Sequence, residues 1–220
     1  DEGFFKRDIE IAIIRVRQGW LVEMGKQKQM LPFNQTQQAK SYGQLNSRAH
    51  ILCLVKGLED LGPFYLTVHG VIAGAIMNRR KGVISAFGKM VIAPANAMNK
   101  RRGLTAKWAW RGFWLPIGPK RDQKNVPIFE EAGKGENTSL VTYPCALGLV
   151  EKPSDAEIRA RYVGRAVLAR LEEMYKQAET WATAWDEAAP AGEAAQAGAP
   201  SGYAYAEEGA EEKPTEEIPF

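Results

Sequence analysis

The stretch DIEIAIIRVRQGWLVEM, residues 8–24, decides the architecture. Ile9, Ile11 and Ile13 alternate with Asp8, Glu10 and Ala12, and Arg15 and Arg17 then alternate with Val16. A period of two places one set on a buried face and the other outward, which is the signature of a strand. Seventeen residues make it a long strand, able to serve as the spine of an antiparallel sheet.

Working outward, 25–47 is rich in Gln, Lys, Ser and Asn and reads as a long loop, whose length itself suggests a function. Residues 48–56, with Ile51, Leu52, Cys53, Leu54 and Val55, read as a second, buried strand. A turn over 57–63 leads into a third strand over 64–71, and the two form a hairpin. In 71–99, Ala and Met favour short helices that Gly74, Gly82 and Gly88 interrupt. Residues 104–117 read as a fourth strand and 139–150 as a fifth, broken near Pro144.

A helix over 154–185 closes the body. Ser154 and Glu157 have the spacing of a capping box, in which each side chain satisfies a free amide of the other's backbone. Ile158, Tyr162, Val163, Ala166, Val167, Leu171, Met174, Ala178, Trp181 and Trp185 follow at three- and four-residue spacing. Such a stripe packs on the body or on a second subunit. The expectation is a mainly β domain over 1–185: an OB-like five-stranded barrel with a helical insert between its third and fourth strands and a long C-terminal helix.

From Asp186 the composition turns to Ala, Gly, Pro and Glu, which cannot bury enough surface to fold. This segment, 186–220, is expected to be a disordered tail. It holds nine acidic residues and one basic one, a formal charge of −8, whereas 1–185 carries +11. The net +3 of the chain therefore conceals a cationic body on an anionic tether. Such tails usually serve solubility. That role leaves unexplained why this one ends in Glu216, Glu217, Ile218, Pro219 and Phe220. Phe220 offers a ring and a terminal carboxylate together, Pro219 restricts the backbone, Ile218 adds apolar area, and the two glutamates steer the peptide toward basic rims.

An acidic tether ending in Ile-Pro-Phe resembles the C-terminal tip of bacterial single-stranded DNA-binding proteins. The resemblance covers 211–220, and both motif and terminal position match. In that family the tip docks replication, recombination and repair enzymes, so it implies the same role for Glu216 to Phe220. The body carries no motif of that family, as a divergent phage- or plasmid-type version would not.

A site for single-stranded nucleic acid is expected where aromatic and cationic residues crowd. Lys107, Trp108, Trp110, Arg111, Phe113 and Trp114 fall within eight residues. On a strand over 104–117, Trp108, Trp110 and Trp114 share one face, while Arg111 and Phe113 share the other. Three spaced indoles suit successive bases, each stack being worth about 1–3 kcal/mol. Alternating aromatics also build cores, and the balanced expectation is that one or two rings stack while the others are buried. Around them lie Arg79, Arg80 and Lys81, then Lys100, Arg101 and Arg102, then Lys120 and Arg121 with Lys124, doublets and triplets suited to tracking phosphates. Arg15, Arg17, Trp20, Lys26 and Lys28 form a second tier.

Other classes are poorly supplied. His50 and His69 are the only histidines, the aspartates of the body are scattered, and no phosphate-binding loop or nucleophile elbow occurs. No enzyme activity, cofactor or metal is expected. Cys53 and Cys145 lie in apolar runs and read as reduced, buried thiols of a cytoplasmic protein. No apolar run of eighteen residues indicates a membrane span. The first residues, Asp1 to Phe4, lack the pattern of a signal peptide, and without a Met they imply residues upstream. The sequence points to a non-enzymatic, oligomeric protein that coats single-stranded DNA without sequence preference and recruits DNA-processing enzymes through its tip. The alternatives are a recombination mediator or annealing protein, and an adaptor binding RNA or protein.

Overall fold

The structure is a computed structural model that describes residues 8–25, 27–43, 46–133, 136 and 138–181. A six-stranded antiparallel sheet forms its centre. β1 (Ile9–Met24), β3 (Asn46–Val55), β4 (Phe64–His69), β5 (Leu115–Pro119) and β8 (Pro144–Ala146) run in the order β4-β3-β1-β5-β8, and β2 (Gln27–Pro32) pairs with the far end of β1. β1 is the spine. β3 pairs with it from Ile11 to Leu21, while β5 takes Ile9 to Ile11 and β2 takes Gly19 to Met24. Among the described residues β4 and β8 each pair with a single strand, so the sheet is open at both ends.

A bulge sets which residues β1 shows on each side. The register slips between Ile13, opposite Cys53, and Arg15, opposite Leu52, leaving Ile14 as the extra residue. Ile11 and Ile13 face the main core together with Ala49, Ile51, Cys53 and Val68. Ala12 and Ile14 face a second core with Leu54, Trp114 and Leu171. The central strand is thus buried on both faces over its first half, which its isoleucine density permits.

The helical insert seals the main core. α2 (Gly70–Met77) packs against β3, β4 and β8, and α3 (Val83–Phe87) against β8, so the insert spans the interval between the two sheet ends. α3 runs through a π-helical turn (Gly88–Ile92) into α4 (Ala93–Arg101). Pro94, in the first turn of α4, lacks the amide that a regular helix would bond four residues back, and the wider π turn precedes it.

Three readings of the sequence need correction here. The polar stretch 25–47 is not a long loop. It contains β2 and α1 (Thr36–Ser41), held by a small cluster of Val22, Leu31 and Ala39 and by a bond from Trp20 Nε1 to Thr36 Oγ1 of 3.0 Å. Residues 104–117 are not one strand: only those from Leu115 onward belong to a strand, β5, after a 3₁₀ turn at Trp110–Gly112. Residues 139–150 divide between β8, in the main sheet, and β7 (Ser139–Thr142), which forms a separate ribbon with β6 (Phe129–Ala132).

The closing helix also departs from expectation. The capping box is present, with Glu157 N donating to Ser154 Oγ and Ser154 N to Glu157 Oε2. It opens only a short helix, α5 (Asp155–Ala160). The chain then leaves helical geometry so that Trp114 N can donate to Arg161 O (2.7 Å) and Val163 N to Gly112 O (3.1 Å). Gly164, at φ 88° and ψ 153°, turns it back into α6 (Arg165–Gln177), a conformation other residues adopt only under strain. Residues 182–185 of the expected helix lie outside the described residues, as do Lys26, the whole tail and its docking tip, Glu216, Glu217, Ile218, Pro219 and Phe220.

Candidate nucleic-acid interface

The tryptophans do not form a row. Trp108 is 7% exposed and Trp114 4%, each in a different core cluster. The Trp108 ring packs edge-on against Phe113 and Tyr162, with centroids 5.2 and 5.4 Å away. These two rings belong to the packing of the body, and the shared face expected of them is absent because the 3₁₀ turn at Trp110–Gly112 breaks the alternation between them. Trp110 is half-buried against Phe87, at 5.5 Å, and lies over Gly88. A Cβ at position 88 would come within 2.8 Å of its ring carbons, so only glycine allows this approach.

The cationic groups split by what they do. Arg111 bonds Glu172 at 2.7 Å and stacks on Tyr175 at 4.0 Å, fastening α6 to the body. Arg121 pairs with Asp8 at 3.2 Å and Lys120 with Glu130 at 3.4 Å, while Arg101 pairs with Asp155 at 2.9 Å. Lys100, Arg102, Lys107 and Lys124 are exposed. Arg79, Arg80 and Lys81 are exposed on a tight loop before α3. Its backbone is fixed from within: Asn78 Oδ1 accepts from the amides of Arg80 and Lys81, and Ser85 Oγ donates to Arg79 O at 2.6 Å. Lys89 reaches the same loop, its Nζ 3.4 Å from Arg80 O. The π turn that carries Lys89 also carries Gly88, on which the Trp110 ring packs, so one segment of the insert meets both Trp110 and the basic loop.

A second group emerges on the outer face of β1, β3 and β4. The register aligns Arg15 with Leu52 and Tyr65, Arg17 with His50 and Thr67, and Gly19 with Arg48 and His69. Residues two apart share a face, so these rows form one outward strip. Arg17 donates to the Tyr65 hydroxyl at 3.1 Å. His50 and Tyr65 lie with ring centroids 5.2 Å apart, and Thr67 Oγ1 is 3.2 Å from His50 Nδ1. Tyr65 is 48% exposed. Partial burial together with the charges of Arg17 and Arg48 holds the His50 imidazole below its ordinary pKa, so it is neutral near pH 7.

The end of the C-terminal helical segment reaches this strip. Arg15 stacks on Tyr175 at 3.7 Å and donates to its carbonyl, and Arg17 stacks on the Trp181 indole at 3.7 Å. Trp181 in turn meets Tyr65 edge-on, 5.7 Å between centroids at 86°. Arg15 and Arg17 stood only in the second tier of sequence candidates, and Arg48, His50 and Tyr65 were not among them. The available signal was the alternation within β3 and β4, which sets His50 and Tyr65 opposite to the core residues Ile51 and Val68.

Burial raises the Cys53 thiol to about 12, and Cys145 is also raised. Among the described residues no cluster of three or more His, Cys, Asp or Glu could hold a metal ion, and no helix is long and apolar enough to cross a membrane. No family model, curated protein or solved structure matches the chain.

Proposed function

We propose that the chain is a sequence-independent single-stranded DNA-binding protein of OB-like architecture, with the outer strip of β1, β3 and β4 as its binding face. The observation that carries the reading is the strip itself. It places guanidinium, imidazole and phenol groups side by side on rigid strands, with Tyr65 open to solvent. Cationic groups suit phosphates, and flat rings suit unstacked bases of any sequence.

The strand order supports the architecture. Taking β1, β3, β4, β5 and β8 as five successive strands with β2 as an addition, they pair as third-second-first-fourth-fifth, and the helical insert falls between the third and fourth. That is the strand order an OB-type barrel would have if opened between its third and fifth strands. In such folds the face of strands two and three binds oligonucleotides, as do the loops after strands one and four. Here the corresponding connections are 25–45, which contains β2 and α1, and 120–143, which contains β6 and β7. The exposed cluster Arg79, Arg80 and Lys81, with Lys100, Arg102, Lys107 and Lys124, supplies further phosphate contacts. The acidic tail recruits DNA-processing enzymes through Ile218, Pro219 and Phe220.

Binding of the full chain to oligo-dT, titrated over salt with duplex DNA as competitor, tests this. Affinity should fall as a power of salt concentration and exceed that for the duplex, and Tyr65→Ala should weaken binding by roughly five- to a hundredfold, the worth of one stacked base. Absence of binding to oligo-dT at low salt overturns the reading.

A further inference from the structure

The stack of Trp181 on Arg17 lies beyond the end of α6 at Gln177. The apolar stripe that fixes α6 ends at Ala178, which is 9% exposed and belongs to the second core, whereas Trp181 belongs to no core cluster and is half-buried. Its partners are the polar groups of the strip. The Arg17 guanidinium carbon lies over the indole, 3.7 Å from its ring centroid, and the indole meets Tyr65 edge-on, with 5.7 Å between ring centroids. The guanidinium is oriented before anything stacks on it, because it donates to the Tyr65 hydroxyl at 3.1 Å. Beyond Tyr65 the aromatic surface continues to His50, 5.2 Å away. A planar cation as floor and a phenol as wall form a slot for one flat ring, and a nucleobase offers the same π face as an indole.

We propose that the slot between Arg17 and Tyr65 is a nucleobase subsite, and that Trp181 is its internal occupant, displaced when a base of single-stranded DNA enters. This rests on the function proposed above and names one subsite within that face. Two features favour exchange over permanent occupancy. Trp181 brings one ring and no phosphate, whereas a bound nucleotide brings a ring together with an anion that Arg17, Arg48 and the neighbouring basic groups can meet. The indole also sits beyond the last core anchor, so it can swing away without unpacking Leu171 or Ala178. An occupied slot lowers apparent affinity by the fraction of time it is closed.

The test uses the full chain with 5-fluorotryptophan incorporated, the Trp181 resonance being assigned by its absence in Trp181→Phe. Adding saturating oligo-dT should shift the Trp181 resonance and leave those of the buried Trp108 and Trp114 nearly unmoved. Trp181→Ala should bind oligo-dT about two- to fivefold more tightly, the fold-change that loss of an exposed cation–π competitor yields, and Trp181→Phe should lie between it and the parent. Arg17→Ala should shift the Trp181 resonance in the absence of DNA and weaken binding. If the parent binds oligo-dT but Trp181→Ala binds equally or more weakly, Trp181 is a fixed prop or itself a stacking ring, and the inference fails while the function stands. An unmoved Trp181 resonance at saturation overturns it in the same way. Failure of both parent and variant to bind at low salt overturns the function and the subsite together.

Discussion

His50 is the residue whose charge depends most on what lies over the sheet. Partial burial, Arg17 and Arg48 all disfavour its protonation, so its pKa is lower folded than in an unfolded chain, where it is near 6.5. The unfolded state therefore binds the proton more readily below pH 6.5, and the neutral imidazole's contribution to stability, complete above that value, is lost as pH falls. Phosphate over the strip reverses the preference, because an anion beside Arg17 and Arg48 favours a third cation. Lowering pH from 7.5 to 5.5 should thus strengthen binding to oligo-dT while lowering the urea midpoint of the free protein. In His50→Gln both slopes should be shallower. Titrations and urea melts of the two proteins at the two pH values check this. A steeper binding slope in His50→Gln would contradict the assignment of His50 to the face.

At the scale of elements, the junction between α5 and α6 is where local and long-range demands meet. Residues 161–163 leave helical geometry to bond Gly112 and Trp114, tying the C-terminal segment to the strand that begins at Leu115. Gly164 makes the return possible at φ 88°. Gly164→Ala should destabilise the domain by about 1–3 kcal/mol through backbone strain, although a Cβ there would meet no atom within 4 Å. Ser154→Ala should cost about 1 kcal/mol through loss of the cap. Thermal or urea unfolding of both variants measures these effects, and a neutral Gly164→Ala would show that the junction relaxes. The contrast explains what was legible in the sequence. Ser154 and Glu157, three residues apart, carry their signal locally, as do Ile9, Ile11 and Ile13. The break at 161–163 depends on a partner some fifty residues earlier, which periodicity does not register. β2 was hidden by its polarity, since buried Leu31 and Pro32 follow the exposed Lys28 and Gln29. The crowding of Trp108, Trp110 and Trp114 was visible, but its division into core and surface was decided by the 3₁₀ turn and by Gly88. The strip with Tyr65 escaped notice because its members are scattered over fifty residues and are assembled only by register.

At the scale of the whole molecule, charge is divided along the chain. The segment 1–185 carries +11 and 186–220 carries −8, and the division falls just beyond Trp181, which lies on the strip. An anionic segment tethered at the edge of a cationic face is present at high effective concentration whatever the protein concentration. Exposed charges attract over about 10 Å at 0.1 M salt, so the competition is strong at low salt and fades as salt rises. Ending the chain at residue 185 should therefore tighten binding to oligo-dT, most at the lowest salt, and the two binding curves should converge at high salt. Removing Phe220 alone should leave DNA affinity nearly unchanged, because the tail keeps its charge, while recovery of DNA-processing partners on an affinity resin is lost. Such a partner pocket would take the ring as its apolar anchor, which the deletion removes. Parallel salt titrations of the full chain, the 1–185 fragment and the chain lacking Phe220 separate the two roles. Weaker binding by the fragment at low salt would remove the competition, and a change in DNA affinity on losing Phe220 would place that ring on the binding face rather than on a partner.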